Sequence, residues 1–233
     1  MPASSATLDP PPVPASPGAE VAADRPLLRG WLHLVMLPLA LAGGAALAAG
    51  ATSAGARAAL VVYTLGMSAL FGVSAAFHRI RWSPAARRRM RRADHSTIFV
   101  GIAGTYTAVA VLALHGWAEV LVLCLVWIGG ACGIAFRQIW LDAPKWAIAL
   151  PYLVVGWCAL AVVPQLVRGM GGAGFGLLVA GGAAYTFGAL AYARRKPDPR
   201  PRVFGYHEVF HACTVLGAAL HFAAIATYAL HAR

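Results

Sequence analysis

The sequence predicts an all-α integral membrane protein, a seven-transmembrane helix bundle with its N-terminus cytoplasmic and its C-terminus outside. Three observations carry this. Hydrophobic residues fill 60% of the 233 positions and charged residues only 12%, with a mean hydropathy of +0.68, which sets the chain apart from soluble globular domains. The apolar residues gather into seven runs, each long enough at about 1.5 Å per residue to cross roughly 30 Å of hydrocarbon. The basic residues gather between alternate runs.

In chain order, residues 1–25 are rich in Pro, Ala and Ser with acids at Asp9, Glu20 and Asp24. They cannot bury enough apolar surface to fold and are expected to form a disordered, Pro/Ala-rich cytoplasmic tail. The tail lacks the basic n-region and adjoining apolar core of a signal peptide, so the first run is expected to remain as a membrane helix. Residues 26–233 form the seven-helix transmembrane domain, with runs near 30–50, 57–78, 95–114, 117–136, 146–164, 172–193 and 204–230. The runs are continuous, whereas the strands of a barrel would alternate. Pro38 and Pro151 are tolerable inside membrane helices. Gly43–Gly44 and the glycines from Gly171 to Gly182 read as close packing faces.

Orientation follows from Lys and Arg. One side takes Arg25 and Arg29, the seven arginines from Arg79 to Arg92, Arg137 with Lys145, and the five basic residues from Arg194 to Arg202. The other side takes Arg57, Arg168 and Arg233. By the positive-inside rule the crowded side is cytoplasmic. The net charge of +11 would also suit a nucleic-acid binder, but short basic clusters between apolar runs describe membrane loops, so the expected partner is membrane lipid and not nucleic acid. Arg outnumbers Lys by 17 to 2 and Ala is abundant, which fits a GC-rich bacterial genome and hence a multi-pass protein of the bacterial inner membrane. Cys124, Cys132, Cys158 and Cys213 lie within apolar runs and form no C-x-x-C pair, so they read as small buried residues.

The last run opens with His207-Glu208-Val209-Phe210-His211. Residues four apart share one helix face about 6 Å apart, which is a metal-ligand spacing. The alternative is a pair of histidines bonded to backbone at the headgroup interface. His78 ends the second run beside Arg79, Asp94 opens the third after the arginine cluster, and His207 follows Arg202 by five residues. Ser74 and His211 each lie one turn deeper. Ionisable groups are costly inside a membrane, so five polar side chains at one depth on three helices point to a site.

Ser74-x-x-x-His78, Asp94-His95-Ser96-Thr97-Ile98-Phe99 with Ile102-Ala103-Gly104-Thr105-Tyr106-Thr107, and Phe204-Gly205-Tyr206-His207-Glu208-Val209-Phe210-His211 resemble the motifs of the hemolysin III family. That family is grouped with the progestin and adipoQ receptors, seven-helix membrane proteins. The resemblance covers roughly residues 27 to 230. It implies a Zn2+ ion on the cytoplasmic side held by His78, His207 and His211, with Asp94 and Ser74 serving its water. Ala108 departs from the pattern, because a proline often follows Gly-Thr-Tyr-Thr. That change touches local helix geometry and no ligand.

Three imidazoles and one water would make an open zinc site of the catalytic kind. Asp94 would orient the water or take its proton, and Ser74 would donate to a developing oxyanion or simply bond its own helix carbonyl. Glu208 completes a literal H-E-x-x-H, in which the Glu is the general base, or else it pairs with Arg200 or Arg202. Geometry favours Asp94. His95 points about 100° from Asp94 on a helix and reads as an orienting neighbour. His221, fourteen residues past His207, is about 21 Å along the axis and reads as an interior polar residue. His33, His115 and His231 fall near helix ends and read as interfacial.

The leading functional expectation is a zinc-dependent hydrolase of a lipid amide or ester, the amide being suggested by ceramidase-like members of the wider superfamily. The second is a non-enzymatic membrane protein, a lipid sensor or a pore-forming hemolysin, with structural or regulatory zinc. A retinal protein would need a membrane-embedded lysine, yet Lys145 and Lys196 fall in loops. A b-type haem would need ligands on opposite faces of the iron, which His207 and His211 cannot provide.

Overall fold

Every apolar run becomes helix, because in hydrocarbon a backbone must satisfy its own hydrogen bonds. The computed structural model describes residues 26–231, and the expected disorder of residues 1–25 lies outside the described residues. The elements are α1 (Trp31–Ala49), α2 (Ala54–Arg79), α3 (Pro84–Ala113), α4 (Trp117–Ile139), α5 (Lys145–Gly156), a 3-10 turn (Cys158–Val162), α6 (Val163–Arg194) and α7 (Tyr206–His231). Among the described residues the one β-type pairing is an isolated bridge between Arg200 and Phe204.

The third helix departs from the sequence reading. It begins at Pro84, not near residue 95, so the arginines from Arg87 to Arg92 are helical and Asp94 sits about three turns inside. The start signal is local: Ser83 accepts from the Ala86 N–H at 3.4 Å and Pro84 takes the first helical position. Hydropathy stops at the charges, but the helix does not. At 30 residues α3 is about 45 Å long, well beyond the hydrocarbon thickness.

Six helical segments are long and apolar enough to cross a membrane among the described residues, one of them the fifty-residue stretch Lys145–Arg194. The sequence reading divides that stretch into two runs. Within it, Gly171 adopts φ +70° and ψ 171°, which interrupts the helix. Trp157 Nε1 donates to Thr186 Oγ1 at 2.9 Å, and Lys145 Nζ lies 4.7 Å from the Tyr192 ring centroid. Along a straight helix Trp157 and Thr186 would be roughly 43 Å apart. The stretch therefore folds back on itself, and Gly171 lies midway between the touching residues. The expected packing role of the glycines from Gly171 to Gly182 holds for one part only. A Cβ on Gly181 would lie 2.2 Å from His221, and one on Gly182 3.2 Å from Trp157, but Gly171, Gly172 and Gly176 meet nothing.

The most extensive packing joins α6 with α7, α2 with α3 and α1 with α2, while α3 touches α2, α4, α5, α6 and α7. On the α2–α3 face a Cβ at Gly66 would lie 2.9 Å from the Val100 carbonyl oxygen, so small residues let the two backbones approach. Leu60, Phe71, Phe99 and Val126 fill the interior. Leu65, Val120, Ile128 and Leu160 are each more than 60% exposed on the outer surface. Apolar residues inside and out are the pattern of a bundle whose solvent is lipid.

Candidate metal centre

The site is assembled by the segment before α1. The Leu27 and Leu28 N–H groups donate to the carbonyls of Arg202 and Val203 at 3.0 and 3.1 Å. Arg29 donates from Nε to Glu208 Oε1, forming an ion pair. Gly30, at φ +80°, then starts α1 against α2, where an added Cβ would lie 2.9 Å from the His78 Cβ. Only glycine meets both demands, the left-handed backbone and the close approach. These ties fix the start of α1 between the end of α2 and the start of α7.

The result brings His78, His207 and His211 together. Each offers a ring nitrogen, and the three nitrogens all lie within 4.8 Å of one another. Their ring centroids are 4.8 Å apart for His78–His207, 5.1 Å for His78–His211 and 4.7 Å for His207–His211. A tetrahedral zinc with bonds of about 2.0–2.1 Å spaces its nitrogens roughly 3.3 Å apart, so the triad fits after small ring movements. Three imidazoles form a donor set that zinc, copper, iron or nickel can use. His211 Nδ1 is buried without a hydrogen-bond partner among the described residues, which also fits a nitrogen set aside for an ion.

His33 was expected at the interface. It is 2% exposed instead, stacked on His211 with centroids 4.0 Å apart and planes 15° from parallel. An imidazole binds a metal in its own plane, so two nearly parallel rings stacked at that distance cannot share one ion. His33 is a platform that stacks on the His211 ring.

The two candidate bases are placed differently. Asp94, 8% exposed, and Ser74, 5% exposed, are polar neighbours. Both line a cavity of about 120 Å³ that also touches His207 and His211. Glu208 is outside that lining. Its Oε1 takes Arg29, not Arg200 or Arg202, and its Oε2 accepts the Gly205 N–H at 2.9 Å. Three residues after Gly205, it caps the first turn of α7 in the manner of a capping box. His221 lies along the same cavity and bonds the Leu178 carbonyl at 3.1 Å, which ties α7 to α6 far from the triad.

Sequence reasoning missed Arg29, Gly30 and the depth of His33. Gly30 and Arg29 are single residues whose roles depend on partners more than forty positions away, and no local pattern marks them. The four cysteines are free thiols, with Cys124 and Cys132 on the outer surface.

The Haemolysin-III related family profile matches residues 21–222 of this chain. Hemolysin-3 of Bacillus cereus is 30% identical over 178 residues, covering 76% of this chain and 78% of that protein. A Hemolysin-3 homolog of Bacillus subtilis (strain 168) is 33% identical over 135 residues, covering 58% of this chain and 61% of the relative. With a profile spanning most of its length, its long apolar helices and its shared motifs, the chain belongs to the hemolysin III family of multi-pass membrane proteins.

Proposed function

We propose that this protein is a zinc-dependent membrane hydrolase of a lipid amide or ester, with its site at the cytoplasmic leaflet of a bacterial inner membrane. The observation that carries the reading is the convergence of His78, His207 and His211 beside a cavity walled by Asp94 and Ser74. Beyond those polar groups the lining includes Leu70, Ile98, Ile102, Leu153 and Phe210. The cavity reaches from His207 to His221, about 21 Å along α7. An elongated chamber with mainly apolar walls and its one carboxylate, Asp94, beside the triad suits an acyl chain and its head. The chain crosses seven times, the Lys145–Arg194 stretch supplying two crossings through its reversal near Gly171, and the basic side faces the cytoplasm.

His78, His207 and His211 would hold the ion, which when bound supplies a Lewis acid for a carbonyl and brings the acidity of water toward neutral pH. The remaining work falls to this chain. Asp94 accepts the proton of the attacking water at its carboxylate. Ser74 holds that carboxylate in orientation through its hydroxyl. The apolar walls exclude bulk water and keep the chain of the lipid in register. Glu208, with both oxygens engaged, holds α7 in place and takes no part in proton transfer.

The second reading is a non-enzymatic lipid sensor or pore-forming hemolysin with structural or regulatory zinc, and its hemolysin form is favoured by the name carried by the two Bacillus relatives. Against a pore, the cavity lining holds no ring of charge: Asp94 is its one carboxylate, and no Lys or Arg lines it. The test is to purify the full chain in detergent, measure zinc per chain and follow lipid-amide and lipid-ester cleavage. One zinc per chain, lost in His78→Ala, with turnover of either lipid supports the hydrolase. One zinc with no turnover, and leakage from lipid vesicles, would replace it by the second reading.

A further inference from the structure

Arg137, in the last turn of α4, is the largest fully buried side chain of the described residues. Its guanidinium donates to the carbonyls of Trp140 at 2.6 Å and Leu141 at 2.8 Å. It also meets His95 Nδ1, at 2.8 Å from Nη2 and 3.3 Å from Nε. No carboxylate pairs with it among the described residues.

A guanidinium has donors only. His95 Nδ1 must therefore accept, and the proton of the neutral ring must sit on Nε2. The Tyr152 hydroxyl fixes the same residue by donating to its backbone carbonyl at 3.1 Å. No acceptor among the described residues meets Nε2, and His95 is among the residues that line the cavity, as is Asp94. A residue of the cavity lining thus keeps one N–H donor, and a buried cation locks its tautomer.

The geometry points to His95 as the residue that recognises the polar end of the lipid, donating from Nε2 to an oxygen acceptor in the cavity, with Arg137 as its positioning residue. This rests on reading the cavity as the lipid site. An acyl carbonyl or carboxylate oxygen is the acceptor class that fits. The Arg137 charge strengthens the donor, and a group that only donates would meet the ring N–H head on. A hydrocarbon chain without an oxygen gains nothing from His95.

The experiment uses the full chain in detergent with two probes of matched length, laurate and undecane. Equilibrium binding is measured for wild type, His95→Phe and His95→Gln, with zinc per chain recorded for each. A hydrogen bond to a charged group contributes about 1.5–3 kcal/mol, or roughly 10- to 150-fold in affinity. His95→Phe should weaken laurate by at least about tenfold and leave undecane within about twofold. His95→Gln, which keeps an N–H donor, should recover most of the laurate affinity. The imidazole 15N shifts of wild type should report a protonated Nε2 and an accepting Nδ1. Equal loss of both probes, no loss of laurate, or a protonated Nδ1 overturns the proposal. Zinc content separates the two ideas: normal probe selectivity in a zinc-free wild type would sink the hydrolase and leave His95 standing. A wild type that binds neither probe sinks the role of His95 and the lipid site together.

Discussion

Glu208 and Asp94 are both buried carboxylates, 1% and 8% exposed, at the same end of the bundle, and they differ in what surrounds them. Glu208 lies where α1, α7 and the loop before α7 are tied together, and each of its oxygens already has a donor. Asp94 lies on the wall of the cavity with a serine hydroxyl as its neighbour and two histidines of the triad along the same lining. A carboxylate saturated by a cation and a backbone N–H is a fastener. A carboxylate on a cavity wall with a serine as neighbour and no cation paired to it is free to take a proton. Membership of an H-E-x-x-H string does not assign the role, because in this fold the third histidine comes from α2, not from the helix that carries the string.

The contrast is open to breakage, and the largest effect should fall on Asp94. Asp94→Asn should lower lipid turnover by about 10²–10⁴-fold, the usual contribution of a general base, while zinc per chain and melting temperature stay near wild type. Unchanged turnover would transfer the role elsewhere. Glu208→Ala should give the reverse profile, a loss of about 2–3 kcal/mol of stability with zinc and turnover per folded molecule largely retained, because it strands the Arg29 charge and the Gly205 N–H. For a chain of this size that corresponds to a fall of roughly 4–12 °C in thermal midpoint.

His33 sharpens the comparison, since it acts on the triad without touching the ion. His33→Ala should weaken zinc binding by about tenfold, in the range seen for residues that orient metal ligands, and His33→Phe should restore most of it by keeping a ring against His211. Equal loss in both variants would mean that the imidazole nitrogens, not the stack, carry the effect. The smallest change belongs to Gly171→Ala, far from both carboxylates. Forcing a side chain onto φ +70° with ψ 171°, a backbone that glycine alone adopts readily, should cost about 1–3 kcal/mol, seen as a modest fall in thermal midpoint with zinc and turnover unchanged.

Much of the site was legible along the chain. The Ser74/His78 and His207/His211 pairs are local helical spacings, and their depth follows from the basic clusters that flank them. The Arg29–Glu208 pairing was not legible, because the partners are 179 residues apart and Arg200 and Arg202 looked closer in sequence. The stack of His33 on His211 was equally hidden. A histidine three residues into a helix reads as interfacial until the clamp of Leu27 and Leu28 onto Arg202 and Val203 brings it inward. The early start of α3 was readable in Ser83-Pro84 but was masked by weighting charge over capping.

By itself the sequence determined the helical membrane class, the family, the side that carries the charge and the set of polar residues at one depth. These follow from hydropathy, helical period and the cost of charge in hydrocarbon, all of which act along a single segment. Only the tertiary structure decided which carboxylate lines the cavity and which is tied to a cation and a backbone N–H, which histidine stacks on the triad, and which nitrogen of His95 meets a buried cation. Those outcomes depend on which donor from a distant helix reaches each acceptor first, and hydrogen bonding between helices leaves no periodic trace in the chain.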